Sequence, residues 1–95
     1  MILTLDGFFE WDEAKRLRTL RERGPDFRDA RLLFDGRPFY SYPSLRFGED
    51  RVVSIGLLEQ RLIAIVWTER NGAYRIISVR RATDAEERKF RALFG

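Results

Sequence analysis

The 95-residue sequence contains no cysteine and no histidine. Without cysteine there is no disulfide framework and no thiolate metal site. Without histidine the chain lacks the commonest general base, the commonest zinc ligand and the usual switch of charge near neutral pH. No cluster of carboxylates shares one face of a predicted element either, so the sequence predicts no metal and no other cofactor.

Long apolar runs are also missing, and none approaches the length of a membrane span. The first residues, Met1–Asp6, lack the basic start and the small-residue cleavage site of a signal peptide. The length is that of one domain, residues 1–95, and a hydrophobic content of 44% argues against disorder. We therefore expect a single-domain cytoplasmic protein without membrane contacts.

Lysine is scarce, because the 18 basic residues include only two lysines, Lys15 and Lys89. The net charge is +3 and the isoelectric point is about 9.8. The guanidinium group of arginine makes planar, bidentate contacts with phosphate or carboxylate. The composition therefore favours a nucleic acid or an acidic protein as partner, although codon usage that replaces lysine by arginine would explain the same bias.

Local patterns predict an α+β protein. Asp12 is a candidate N-cap for a helix over Glu13–Arg23 that ends at Gly24, and its buried stripe is predicted to be Ala14, Leu17 and Leu20. A second helix is predicted over Phe27–Phe34, and a last helix is capped at Thr83. The predicted loop is Pro43–Asp50, and the predicted strands are Phe8–Trp11, Phe39–Tyr42, Arg51–Leu58, Arg61–Glu69 and Tyr74–Arg81. The order is β-α-α-β-β-β-β-α, with a small antiparallel sheet of three to five strands.

The hairpin turns predict the strand registers. Asn71-Gly72 is typical of a two-residue type I′ turn, which places Thr68 opposite Arg75 and, without interruption, Ala64 opposite Val79. A second two-residue turn at Glu59-Gln60 would extend one core face, made of Val53, Ile55, Leu57, Leu62, Ala64, Val66, Ile77 and Val79. On the opposite face, the same register puts Arg80 in a groove beside Ser54, Gly56 and Ser78.

The chain resembles the BrnT toxins at both ends. The opening match is Phe9-Glu10-Trp11-Asp12-Glu13-Ala14-Lys15, then Arg21-Glu22-Arg23-Gly24 and Phe27; the usual family form is F-x-W-D-x-x-K, a helix, K-H-G-V and F. The closing match is Trp67-Thr68-Glu69-Arg70, then Arg75 to Thr83 and Glu86–Phe90. The chain departs from the family pattern at Arg23, where the family has histidine, at Phe90, where it has tyrosine, and in Leu58–Arg61, which lacks the usual glycine.

This resemblance implies a ribonuclease toxin of a type II toxin–antitoxin pair with a RelE-like fold. It would cleave mRNA without a metal and inhibit translation and growth. Its partner would be a BrnA-like ribbon-helix-helix antitoxin that contacts operator DNA, and a homodimer within that complex is compatible with the sequence. The implied catalytic residues are Glu69, Arg70, Arg75 and Arg80, and the implied substrate-binding residues are Lys15, Arg23, Ser78, Arg81 and Lys89.

Cleavage through the 2′-hydroxyl needs a base, a donor that stabilises charge on the phosphorane, and an acid for the leaving oxygen. Glu69 is the candidate base, and Arg75 and Arg80 are the candidate phosphate donors. Simpler explanations stay open: Glu69 as a strand-end residue paired across strands with a cation, Arg70 as a solvated hairpin residue, and Trp67 and Tyr74 as packing aromatics. The alternative function is therefore a catalytically weak or inactive module that binds RNA or the antitoxin.

Overall fold

The computed structural model describes residues 3–6, 8–46 and 49–95, with side chains described for 8–44 and 50–95. Within these ranges the elements are β1 (Leu3–Asp6), β2 (Phe9–Asp12), α1 (Glu13–Arg23), a 3-10 turn (Phe27–Asp29), α2 (Ala30–Leu33), β3 (Phe39–Arg46), β4 (Glu49–Leu58), β5 (Arg61–Arg70), β6 (Ala73–Arg81) and α3 (Asp84–Phe94). No helix in this part of the chain combines the length and the apolar character needed to cross a bilayer.

The α+β class and the predicted order of helices and strands are confirmed, but the sheet differs in two respects. Its strand order is β1-β2-β6-β5-β4-β3, which gives six strands in the described ranges instead of three to five. The sheet is also mixed and not purely antiparallel, because β2 pairs with β6 in the parallel sense. A parallel pair needs a long connection, and the chain from α1 to β5 provides it. The additional strand, β1, forms a hairpin with β2.

The predicted loop Pro43–Asp50 is wrong over most of its length. β3 runs to Arg46 and β4 begins at Glu49, and Pro43 pairs in register with Val52. Proline cannot donate a ladder hydrogen bond and is therefore confined largely to edge strands. β3 is the last strand in the sheet order, so Pro43 fits there. Phe47 and Gly48 lie outside the described residues.

Both faces of the sheet are covered, so the protein has two cores. The 3-10 turn and α2 cover the face that we call the α2 face, whose buried residues are Trp11, Phe27, Ala30, Leu33, Leu58, Ile63, Ile65, Ile76 and Val79. Helix α3 covers part of the other face, the α3 face, where Val53, Ile55, Leu62, Ala64 and Phe90 are buried. The single predicted core face is therefore wrong in two members, since Val79 belongs to the α2 face and Leu57 is 42% exposed.

A β-bulge explains why Val79 changes face. The Asn71-Gly72 turn forms as predicted, with φ of 53° and 79°, and Thr68 pairs with Arg75. The register then shifts between Val66 and Trp67, so that Val66 pairs with Ser78 and Ala64 pairs with Arg80. An unpaired extra residue in one strand reverses the alternation of side chains beyond it. The pairs predicted beyond the bulge are therefore wrong, whereas the Glu59-Gln60 turn and its register are confirmed.

The predicted groove beside Arg80 is absent, because α2 fills that space. Ser54 is fully buried, and its hydroxyl accepts a hydrogen bond from Trp67 Nε1 at 2.8 Å. A Cβ atom added at Gly56 would lie 2.0 Å from Leu33 Cδ1. Gly56 is therefore needed for the close approach of α2 to β4, and Arg80 lies on the opposite face.

Replacing Gly56 with alanine should destabilise the protein by about 1–3 kcal/mol, the usual cost of overpacking a filled core. Urea denaturation at pH 7 measures this loss. Adding Leu33→Val removes the overlapping Cδ1 atom, so the double variant should recover part of the stability. A Gly56→Ala protein as stable as the parent would show that α2 is not fixed against β4.

The packing of α1 is the largest departure from the predicted helix pattern. Its N-cap is Asp12 as predicted, and the Asp12 carboxylate accepts from Lys15 N at 3.2 Å. The buried residue, however, is Arg16, and the predicted stripe of Ala14, Leu17 and Leu20 is exposed. Arg16 Nε lies 3.2 Å from Glu13 Oε1 and 3.4 Å from Asp26 Oδ1. This ion-pair network ties α1 to the residue that precedes the 3-10 turn and sets the rotation of the helix.

Candidate functional site

A basic cleft lies on the α3 face, at the end of the sheet that α3 leaves open. Its volume is about 280 Å³, and it is lined by Asp50, Arg51, Thr68, Glu69, Arg70, Arg75 and Ile77. Thr68 pairs with Arg75 across the hairpin, and its hydroxyl donates to the Asp50 carbonyl at 2.7 Å. The cleft is thus held by the hairpin β5–β6 and by the start of β4.

The charge of the cleft is positive. Three arginines, Arg51, Arg70 and Arg75, line the cleft together with two acidic residues, Asp50 and Glu69. A guanidinium group presents several N–H donors in one plane, which matches the oxygens of a phosphate group. The arginines of the cleft therefore suit a polyanion. Glu69 also lines the hairpin end of the cleft, but it pairs with Tyr74, whose side chain lies on the α2 face.

Lys15 adds a cation near this cleft. Burial lowers the pKa of the Lys15 ammonium, and the positive charges of Arg51 and Arg18 lower it further, against the opposing effect of Asp12. Lys15 and Arg51 therefore lie close enough to repel each other, although they belong to α1 and β4. The first turn of α1 extends the positive field of the basic cleft.

A second group of polar residues surrounds Glu86 at the start of α3. Arg80 donates to the Glu86 carboxylate from Nη1 at 2.8 Å and from Nη2 at 3.0 Å, and the Tyr42 hydroxyl donates a short hydrogen bond to it. Thr83 N donates to the same carboxylate at 2.8 Å, and the Thr83 hydroxyl caps Glu86 N at 3.2 Å. The Tyr40 hydroxyl donates to the Glu86 carbonyl at 2.9 Å. We call this group the Glu86 network.

Glu86 is 7% exposed and remains ionised in the fold. Burial acts to raise its pKa, but hydrogen bonds from Arg80, Tyr42 and the Thr83 backbone outweigh burial and hold the pKa at about 2. The pKa of the Tyr42 phenol is raised by burial and by the Glu86 carboxylate. Arg80 therefore shares its charge with an internal carboxylate, and it offers less to an external anion than an unpaired arginine would.

The β-bulge brings the predicted site residues of β6 onto one face. Ser78 and Arg80 follow the bulge and pair with Val66 and Ala64, while Arg75 precedes it and pairs with Thr68. Without the bulge, Arg80 and Arg75 would point to opposite faces. Thr68 and Ala64 are four residues apart, so the two arginine positions are separated by about 13 Å along the sheet.

Other predicted site residues lie outside the basic cleft. Lys89 lies beside the Glu86 network, with Nζ 5.2 Å from the centre of the Tyr40 ring. Arg23 is exposed in the last turn of α1. Arg81 lines a cavity of about 330 Å³ on the α2 face, together with Arg61 and Asp26. The structure therefore brings Glu69, Arg70 and Arg75 together but does not bring Arg23 or Arg81 to them.

Trp67 and Tyr74 pack inside the protein. Their ring centroids are 5.0 Å apart, and Phe34 stacks on Tyr74 at 5.2 Å with an interplanar angle of 7°. The Phe9 ring also packs against Tyr74 at 5.1 Å, and it lies 5.8 Å from the Phe34 ring. This aromatic cluster belongs to the α2 face, so the simpler interpretation of Trp67 and Tyr74 as packing residues is confirmed.

Sequence reasoning missed Arg51, Tyr42 and Glu86. Arg51 was identified only as the first residue of a strand, although the predicted register already placed that strand in the same sheet as β6, one strand away. Glu86 carries a readable signal, because threonine followed three residues later by glutamate is a capping box. Tyr42 carries none, since its hydroxyl reaches Glu86 from 44 positions away in the chain.

The described residues contain no group of three or more acidic side chains placed to hold a metal ion. The polar residues that line the basic cleft are three arginines, one threonine and two acidic residues. Guanidinium groups of this kind can bind a phosphodiester.

Comparison with known proteins agrees with this chemistry. Residues 11–86 match a family model described as the ribonuclease toxin BrnT of type II toxin–antitoxin systems. The match spans most of the chain, including the basic cleft and the Glu86 network, and it defines a ribonuclease toxin that acts together with an antitoxin. The chain belongs to the BrnT family. A search of curated proteins finds no match.

Proposed function

We propose that this BrnT-family chain is a metal-independent endoribonuclease that cleaves mRNA in the cytoplasm and so inhibits translation and growth. The basic cleft is its substrate site, and a BrnA-like ribbon-helix-helix antitoxin is its partner. The observation that carries the proposal is that Arg51, Arg70 and Arg75 line one open cleft, with Glu69 at its hairpin end.

The chemistry follows from the groups in the cleft. The 2′-oxygen attacks phosphorus as its proton passes to a carboxylate, for which Glu69 is the candidate. The bond to the 5′-oxygen breaks, the leaving oxygen takes up a proton from water, and a 2′,3′-cyclic phosphate and a 5′-hydroxyl remain. Arg75 and Arg70 stabilise the charge that develops on the phosphorane oxygens, usually the largest contribution to catalysis of this kind. Because the chain has no histidine, charge stabilisation and substrate geometry supply most of the rate enhancement.

A single assay tests this proposal. Purified protein is incubated with a long end-labelled RNA, with the DNA of the same sequence, and with RNA plus EDTA. We expect RNA cleavage that is unchanged by EDTA, and intact DNA, because DNA lacks the 2′-hydroxyl. Cleavage of both nucleic acids, or cleavage lost in EDTA, would contradict the mechanism.

The second candidate function is binding without turnover. It is favoured by the pairing of Arg80 with Glu86, which occupies one of the predicted catalytic arginines. On this alternative the same incubation gives RNA that is bound in a mobility-shift assay but stays intact. Growth on induction separates the two in cells, since only the nuclease arrests growth, and the neighbouring antitoxin gene should relieve the arrest.

A further inference from the structure

Helix α1 directs its leucines outward. Leu17 is 51% exposed and Leu20 is 38% exposed, although both are the residues that an amphipathic helix normally buries. Arg16 occupies the inner position instead, with Nε 3.2 Å from Glu13 Oε1 and 3.4 Å from Asp26 Oδ1. The apolar side of α1 is therefore left without a partner within the described chain.

A helix of this kind gains little from the rest of the protein. It has 11 residues, and isolated helices of that length are marginal in water, so most helical stability comes from packing an apolar face. Here the only buried side chain of the helix is Arg16. Leu17 and Leu20 add little to the stability of the free chain, but they add to the free energy of binding when another surface covers them.

The charges around these leucines indicate the chemistry of that surface. Arg18 and Arg21 are exposed on the same helix, and neither is paired with a carboxylate in the described part of the chain. We use the name α1 surface for Leu17, Leu20, Arg18 and Arg21. Its chemical complement is an amphipathic segment with apolar residues along one side and carboxylates beside them.

We propose that the α1 surface is the docking site for an acidic amphipathic segment of the antitoxin, an inference that rests on the proposed toxin function. A second copy of the chain would bring the same cations against each other, and RNA has no apolar face to cover the leucines.

The test compares two pairs of exposed leucines. The first variant is Leu17→Ser with Leu20→Ser. The matched control is Leu57→Ser with Leu93→Ser, whose side chains are 42% and 55% exposed beside β4 and α3. The purified product of the gene next to the toxin gene is titrated into each full-length protein by calorimetry, and melting temperatures confirm that all the variants fold.

We expect the α1 variant to raise Kd about 30-fold, the combined loss of two partly buried leucines. The control variant should stay within about twofold of the parent, because its patch lies elsewhere. A second variant, Arg18→Glu with Arg21→Glu, should also raise Kd, and that effect should shrink at high salt. Neither leucine pair carries charge, so RNA cleavage by the leucine variants should be unchanged.

Three affinity results would overturn the inference: equal affinity of the α1 variant and the parent, a loss of affinity confined to the control variant, or no binding by the parent. A parent dimer that the α1 variant converts to a monomer would also overturn it. The last outcome would make a second copy the occupant. If the parent fails to cleave RNA but the α1 variant still loses affinity, the docking site stands and the proposed nuclease function fails.

Discussion

Replacing Arg75 with alanine should lower kcat/KM for RNA cleavage by about 10²–10³-fold, the usual cost of removing one donor to a developing anion. Arg75 lines the basic cleft opposite Thr68 and, unlike Arg80, is not a member of the Glu86 network. In the proposed mechanism its guanidinium group contacts the phosphorane. Single-turnover cleavage of a labelled RNA measures the effect, and the loss should fall mainly on kcat.

Two further variants make this result specific. Arg28→Ala removes the same charge from an exposed position of the 3-10 turn. Cleavage should stay within about twofold of the parent, because only long-range electrostatic steering of the RNA is lost. Arg75→Lys keeps the charge but loses the planar fork, so it should retain an intermediate rate. Equal rates for Arg75→Ala and Arg28→Ala would remove the basic cleft from the mechanism.

Local signals in the sequence were sufficient for most of the fold. The turn at Asn71-Gly72, the cap at Asp12 and the helix end at Gly24 all form where short-range chemistry predicts them. These features depend on the φ preferences and hydrogen bonds of neighbouring residues. They require no knowledge of the rest of the chain.

The β-bulge could not be predicted in the same way. β6 alternates regularly through Arg75, Ile77, Val79 and Arg81, and a strict period of two places these residues on one face. In the fold, the extra residue lets Val79 enter the α2 core while Arg80 reaches Glu86 on the other face. The preference arises from packing against two different helices, so it has no local signature.

The orientation of α1 shows a second limit. The spacing of Ala14, Leu17 and Leu20 predicts a buried stripe, but Arg16 is bound by carboxylates from two separate segments and takes the inner position. One of these carboxylates belongs to Asp26, beyond the helix end. A helical pattern reports which side is apolar, and it does not report whether that side faces the core or a partner.

The sequence predicted the chemistry of the candidate site better than the residues that form it. The arginine-rich β6 and the Glu69-Arg70 hairpin end do line a cleft, and their predicted catalytic roles stay predictions. Arg80 was predicted as a phosphate donor, but its guanidinium group is bound by the Glu86 carboxylate. Glu86 meets Arg80 of β6 and Thr83 at the cap of α3 only in the folded chain. Arg80 thus supports the site by holding α3 against β6.

Replacing Glu86 with glutamine should destabilise the protein by about 3 kcal/mol at pH 7, because a shift from the ordinary value of 4.5 to about 2 is worth roughly that much. Glutamine still serves as the third residue of a capping box, so the variant removes the charge and leaves the helix cap. For a domain of this size the melting temperature should fall by about 15 °C. The matched control is Glu87→Gln, whose exposed pair with Arg91 should contribute less than about 1 kcal/mol.

The pH dependence of stability identifies the cause. Because the pKa of Glu86 is lowered in the fold, its stabilisation is fully present above about pH 5 and is lost as the pH falls from 4.5 towards 2. Urea denaturation across this range should show the parent protein losing its advantage over Glu86→Gln until the two coincide near pH 2. A difference between them that stays constant from pH 7 to pH 2 would show that Glu86 acts through shape and not through its charge.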